Sequence, residues 1–457
     1  MEDLFQKIKE KRIAKTLRYA LIDGVLWSCM FGLAEDYLIP FALHFQTSPF
    51  FISLITGSAQ LGISIIQLLG ARFIGYHQKR KWLIIICNQF HAFSWILVLV
   101  LTYTMKNPVF IIVFYFIGVI STNFGTPAWL SWMNETVPAR LRGEYWGKRN
   151  RIMGFFQFLA TSTAGLTLYF FKNIIHHEFI GFAVIFTLAA LFRSSSILPL
   201  SRMHEPQMKV PQKGKELTLL KFLKSSGRTN FKKFVLFNIL MTFSVYFMPA
   251  MLSIHILKTL KFNYIQFALI NMTVNIASFI SMAYWGSLID RFGNYAIMRL
   301  CAIGIILPSL LWAFLRNIYF ILPIQIFSGF VWAGFNLTTF NFIFDLVKKE
   351  DISSATAITT SLNNIMAFLG SVIAGLISHF TPGITWLPFS ALNLEIIFLI
   401  SFLFRALTVL IFLPSFREVK QTEPVPSEMH FLVYFPARNI MNQIRVIHKK
   451  IMNMIQW

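Results

Sequence analysis

Twelve long stretches of this chain carry few charges or none, and they leave little freedom about what it can become. A helix that crosses a bilayer needs about 20 mostly apolar residues. Stretches such as 21–43, 107–133 and 391–413 meet that length. The spacing predicts helices over 19–43, 50–75, 82–104, 108–133, 149–171, 178–200, 232–257, 262–288, 295–315, 317–345, 354–379 and 391–413. Only 13% of residues are charged and 56% are apolar, against about 25% charged in a soluble domain. A disordered chain, a coiled coil and an ordinary soluble enzyme are excluded. The expected fold class is an all-α integral membrane protein with twelve transmembrane helices.

The net charge is +22. In a soluble protein such an excess points to nucleic acid, but cytoplasmic loops of membrane proteins also collect Lys and Arg, so no nucleic-acid partner is expected. Twelve spans put both termini on one side. Assigning the termini and the even-to-odd loops to the cytoplasm gives that side 34 Lys and Arg, against 5 in the opposite loops. Both termini are therefore expected in the cytoplasm. The first apolar run is longer than a signal-peptide core and has no small-residue cleavage site after it, so it reads as an uncleaved span. Cys29, Cys87 and Cys301 stand far apart in apolar stretches, without metal-ligand spacing, and read as packing residues.

The longest hydrophilic loop divides the spans six and six. The expected organisation is an N-terminal half over 1–200, a cytoplasmic linker over 201–231, a C-terminal half over 232–413 and a tail over 414–457. In the tail, Ile440, Ile444, Ile447, Ile451 and Ile455 recur at helical spacing beside Arg438, Arg445, Lys449 and Lys450. That pattern predicts a basic amphipathic helix on an anionic inner leaflet. The halves also match each other at a shift near 213. Asn123 maps to Asn336, Asn150-Arg151-Ile152-Met153 to Asn363-Asn364-Ile365-Met366, and Leu191-Phe192-Arg193 to Leu403-Phe404-Arg405. An even number of spans per half makes this a parallel repeat: two pseudo-symmetric six-helix bundles related by an axis along the membrane normal.

Gly286-Ser287-Leu288-Ile289-Asp290-Arg291-Phe292-Gly293 follows the eighth span and matches a G-x-L-x-D-R-x-G loop. After the second span, Gly70 and the basic run Lys79-Arg80-Lys81 remain, but Ile74 stands where the motif has Asp. Pro138-Ala139-Arg140-Leu141-Arg142-Gly143, then Gly147-Lys148-Arg149-Asn150, fits P-x-x-x-R-G-x-x-x-G. By these motifs the chain resembles the major facilitator superfamily over about residues 1–413. Gly32-Leu33-Ala34-Glu35 and Pro127-Ala128-Trp129-Leu130-Ser131-Trp132 look like little-characterised bacterial permeases of that superfamily. The resemblance implies the major-facilitator fold, a multi-pass protein of a bacterial inner membrane, and transport by two rocking halves. Gating would fall to Gly286, Asp290, Arg291, Gly293, Arg142, Gly143 and Arg149. Gly286 would let two helices approach closely, and Asp290 would face the start of the fifth span and pair with Arg142 or Arg149.

Charges inside spans are rare and usually functional. The first span carries Asp23, Glu35 and Asp36, the candidates for proton coupling. Gly24, Ser28 and Glu35 share a stripe of small residues that would leave room for water or cargo. Glu35 and Asp36 point about 100° apart on a continuous helix. Family geometry places the first, fourth, seventh and tenth spans around the pathway. It implies Trp27, Asn123, Trp129, Trp132, Tyr246, Trp332, Asn336 and Asn341 as substrate-binding residues, amides orienting and rings stacking. Trp129 and Trp132 are expected on one face. Arg193 and Arg405 are expected at the periphery, Arg193 snorkelling to the surface. No phosphate loop, nucleophile elbow or metal-ligand cluster is present, so an enzyme, a metal and a cofactor are not expected. The leading expectation is a monomeric, proton-coupled carrier of a small organic solute. The rivals are a lipid or lipid-linked-sugar flippase on the same fold, and a non-transporting receptor or scaffold.

Overall fold

In a computed structural model the described residues are 5, 8, 10–77, 79–206, 229–348, 351–381 and 392–419. The middle of the expected linker and nearly all of the amphipathic tail lie outside them. Eleven helical spans among the described residues are long and apolar enough to cross a membrane. The remaining one, the fifth, runs Arg142–Asn173. It is long enough, but Arg142, Glu144, Lys148, Arg149 and Arg151 crowd its start, and Gln157 and Thr161-Ser162-Thr163 dilute its apolar part. The described elements are all helical, and some end several residues beyond the sequence bounds. The fourth, for example, is Val109–Thr136 and the eighth is Tyr264–Phe292. Side chains such as Phe90, Phe93, Leu410 and Ile411 are exposed on the flanks, as a lipid-facing surface requires.

Two spans are broken at equivalent places. The first is helical over Lys11–Leu33, tightens into a 3-10 turn at Glu35–Tyr37, and resumes at Leu38–His44. Pro40 has no N–H to give and its ring clashes with the carbonyl four residues earlier, which disfavours a regular helix through Asp36. The seventh span stops at Val245 and restarts at Pro249. Its break falls about 212 residues after the first, the same shift as the sequence repeat.

Among the described residues, buried apolar side chains fall into three clusters. One joins both halves at one end of the molecule: Tyr37, Phe41 and Phe182 meet Phe247, Met251, Tyr264 and Trp312. At the other end the halves keep separate clusters. One holds Leu17, Ile84, Trp132 and Tyr145; the other holds Phe234, Trp285, Phe342 and Val409. The separated end carries the basic loops, and we call it the basic face.

Contacts across the halves follow the same gradient. Lipid offers no hydrophobic drive for helix association, so spans approach through small residues and hydrogen bonds. Ser371 Oγ donates to the Ser53 carbonyl at 2.9 Å and meets Thr56 Oγ1 at 2.8 Å. A Cβ on Gly375 would lie 2.6 Å from Ser53 Cβ. One on Gly165 of the fifth span would lie 3.0 Å from Ala268 of the eighth. Toward the basic face the fifth and eighth spans part. A Cβ on Gly143, Gly147, Gly154 or Gly286 would meet no atom within 4 Å. Among the described residues the halves pack together at the face opposite the basic one, which we call the sealed face.

Candidate functional site

The first half encloses a cavity of about 520 Å3, within the range of small-molecule sites. All six of its spans supply wall residues. Trp27, Asn123 and Trp129, expected from the sequence, line it. Tyr246, Trp332, Asn336 and Asn341 stand on the other half and are not in its wall. Trp132 is not in the wall either. It is fully buried and its indole N–H donates to the His204 carbonyl at 3.0 Å. Three residues along a helix give about 300°, and that 60° offset is enough to send one indole into the cavity and the other into the packing behind it.

The break in the first span decides where the carboxylates point. Glu35 sits in the 3-10 turn and enters the cavity. Its Oε2 accepts from the Tyr115 hydroxyl at 2.8 Å, and its Oε1 lies 3.8 Å from His91 Nε2. Asp36 turns instead to the fifth span, where Thr161 Oγ1 donates to it at 2.7 Å. The stripe of small residues below them does not open a path for cargo. A Cβ on Gly24 would strike the Arg149 guanidinium, and one on Gly32 would strike the backbone of Gln157. The Ser28 hydroxyl returns to the Gly24 carbonyl at 2.9 Å. These residues let the first and fifth spans pack closely.

Asp23 is buried in the cavity wall, and its Oδ1 has no hydrogen-bond partner. Arg149 and Arg193 line the same wall. Arg193 does not snorkel: it is buried, and it donates to Asn88 of the third span. Its repeat mate Arg405 is also buried, donating to the Ile305 carbonyl at 3.2 Å. Arg149 leaves the basic loop and turns inward, its guanidinium 4.8 Å from the Trp129 ring and 5.4 Å from the Trp146 ring. Asn88, His91, Tyr115, Arg149 and Arg193 are cavity residues that the sequence reading placed elsewhere or left out. Asn88 and His91, three apart in an otherwise apolar helix, were a visible signal for one polar face.

The loop after the eighth span is placed differently from its expected closed geometry. Asp290 is exposed and makes no ion pair among the described residues. Arg142 is exposed and donates to the Asn134 carbonyl at 2.9 Å. Arg291 stacks over Phe292, 5.0 Å from its ring. Gly143 and Gly286 face open space rather than a close neighbour. Gly293 ends the helix at φ 86°, where a side chain would be strained.

The sealed face has its own polar cluster. Glu178 of the sixth span accepts from the Tyr264 hydroxyl of the eighth at 2.5 Å. His44 and Lys172 each lie 3.0 Å from the same carboxylate. On the second half, Arg316 donates to the buried Glu395 at 2.7 Å, with His255 3.9 Å away. Among the described residues no group of three His, Cys, Asp or Glu stands together as a metal would need.

A family model described as "Major Facilitator Superfamily" matches residues 21–371 and 234–444. Among solved structures, a bacterial homologue of the human lysosomal transporter Spinster matches with TM-score 0.69 and 13% identity, over 89% of this chain and 98% of that one. The nucleoside transporter NupG matches with TM-score 0.65 and 13% identity, over 89% of this chain and 99% of that one. A D-xylose–proton symporter matches with TM-score 0.66 and 16% identity, over 90% of this chain and 100% of that one. Curated proteins give no match.

Proposed function

Because the chain belongs to the major facilitator superfamily, and is thus a multi-pass membrane transporter rather than an enzyme, we propose that it carries a small organic solute by alternating access, coupled to protons through Glu35. The halves over 1–200 and 232–413 rock against each other, and the cavity of the first half is exposed to one side at a time. The basic face is cytoplasmic, in a bacterial inner membrane, so the present arrangement faces inward. One observation carries the coupling role: Glu35 is a carboxyl group in the cavity wall, held by the Tyr115 hydroxyl and beside His91. A group so placed can exchange a proton with whichever side the cavity faces, while touching the space cargo occupies. The D-xylose–proton symporter among the structural neighbours couples its sugar to protons, which agrees with this reading. Asp290 acts in the other half of the cycle, closing the basic face.

The test is uptake into proteoliposomes with an organic-solute library, with and without a pH gradient. The wild type is expected to accumulate one solute class only when the gradient is present. Glu35→Gln keeps the shape of a protonated carboxyl and cannot release the proton. It is expected to lose accumulation while still exchanging labelled for unlabelled solute. Normal gradient-driven accumulation by Glu35→Gln would remove Glu35 from the coupling step.

A further inference from the structure

We infer that the cavity of the first half is built for an organic anion, whose carboxylate or phosphate sits between Arg149 and Arg193 while its ring lies against the cavity's aromatic wall. The inference rests on the transport reading and names its cargo class. Arg149 and Arg193 are 7% and 4% exposed, and the Nε atom of each is buried without a hydrogen-bond partner. The indole N–H of Trp129 is also buried and unpartnered, and so are both ring nitrogens of His91, one of which is a donor in the neutral ring. Against these donors the cavity offers one orphan carboxylate oxygen, Asp23 Oδ1. A guanidinium is always charged and has only donors. Leaving such donors unmatched in a buried site is costly, so the complementary ligand is rich in acceptors and negative.

Charge leads to the same place. Two guanidiniums and two carboxylates share the wall. When Glu35 carries the proton assigned to it above, the guanidiniums outnumber the remaining carboxylate, Asp23, by one. An anion then enters with the proton, and the pair is neutral. Carboxylates and phosphates suit arginine because the planar fork can donate twice. Trp27, Phe31 and Trp129 supply apolar ring faces beside the charged end. Asp23 Oδ1 remains free to accept from a hydroxyl or ammonium on the cargo.

The experiment is equilibrium binding to the full-length purified protein, read as a shift in melting temperature and by calorimetry. The probes are benzoate, indole-3-acetate and phenyl phosphate, with indole-3-acetamide and tryptamine as neutral and cationic controls of matched shape. Indole-3-acetate or a second anionic probe is expected to bind at least about tenfold tighter than either control, a difference of about 1.4 kcal/mol. Benzoate against phenyl phosphate separates a carboxylate site from a phosphate site. Arg149→Gln and Arg193→Gln are each expected to weaken the anion by about tenfold or more. Should these fold poorly, Arg149→Lys and Arg193→Lys keep the charge and are expected to retain part of the affinity. Asp23→Asn removes a repelling charge and is expected to tighten it. Equal or better binding of the amide or amine, no binding of any anionic probe, or full anion affinity in Arg193→Gln overturns the inference. Solute uptake is measured separately. A carried solute that is not an anion sinks this inference and leaves the transporter standing. Anion binding without transport sinks the transport reading and leaves the site standing.

Discussion

Glu35 and Asp36 are neighbours in sequence and have different surroundings, so they are expected to respond differently to loss of charge. Asp36 accepts from Thr161 at 2.7 Å within the first-to-fifth span contact. An asparagine there still offers a carbonyl to the same hydroxyl. Asp36→Asn is therefore expected to keep gradient-driven accumulation, where Glu35→Gln loses it; equal losses in the uptake assay would dissolve the distinction. The two tryptophans of the fourth span separate in the same way. Trp132→Phe removes a buried indole N–H from the His204 carbonyl, costing about 1 kcal/mol. It is expected to lower the melting temperature and leave the cargo KM unchanged. Trp129→Phe replaces the indole under Arg149 with a smaller ring and removes its unpartnered N–H from the cavity, and is expected to raise KM with little change in melting. These differences were hard to see in the sequence because each turns on an angle. Residue type named Trp129, Trp132, Glu35 and Asp36 as candidates, and only the 3-10 turn ahead of Pro40 tells which of the carboxylates enters the cavity.

Spans were the most legible feature, because length and apolarity are properties of sequence alone. The fifth span's true start was obscured by its charges, which lie on a helical extension where the basic motif reads as a loop. Arg149, on that extension, stands against the rings of Trp129 and Trp146. The close contacts of the second and eleventh spans, through Ser53, Ser371 and Gly375, depend on which faces meet, and composition cannot supply that. At the sealed face the fifth, sixth and eighth spans meet around Glu178. Tyr264→Phe deletes the hydroxyl donated to that carboxylate across the halves, a hydrogen bond to a charged group worth about 1.5–3 kcal/mol. The loss falls on the arrangement sealed at this face and not on its opposite, so the equilibrium is expected to move toward opening there. Spin labels at positions 106 and 261, exposed on that face, are expected to show a larger long-distance population in Tyr264→Phe. An unchanged distribution would mean that the apolar cluster alone holds the seal.

At the scale of the whole molecule, the proposed orientation rests on the placing of charge, and the proposed cycle on the repeat. The native cysteines are all buried, so added ones report cleanly. Cysteines at 106 and 176 are expected to react with an impermeant thiol reagent from outside intact cells, and cysteines at 79 and 140 to stay protected; the reverse pattern would invert the molecule. On the proposed orientation the present arrangement is open inward, and Asp290 is proposed to act in the state in which the basic face closes. The fifth span begins at Arg142 after Leu141, which gives no side-chain cap. A 3-10 turn at Ala139–Leu141 runs directly into it and supplies backbone carbonyls, so what a carboxylate from the facing loop can meet there is the positive end of the helix dipole. Such a contact is worth about 0.3–1 kcal/mol when exposed and up to about 2 kcal/mol when partly buried. That is enough to change the inward-closed population severalfold, and it costs the inward-open fold nothing, because Asp290 is exposed there. Asp290→Asn is thus expected to leave the melting temperature nearly unchanged and to slow turnover. Labels at positions 143 and 287, which flank the parted ends of the fifth and eighth spans, should then lose the short-distance population that the wild type samples. Normal transport with an unchanged short-distance population would show that Asp290 does not close the basic face.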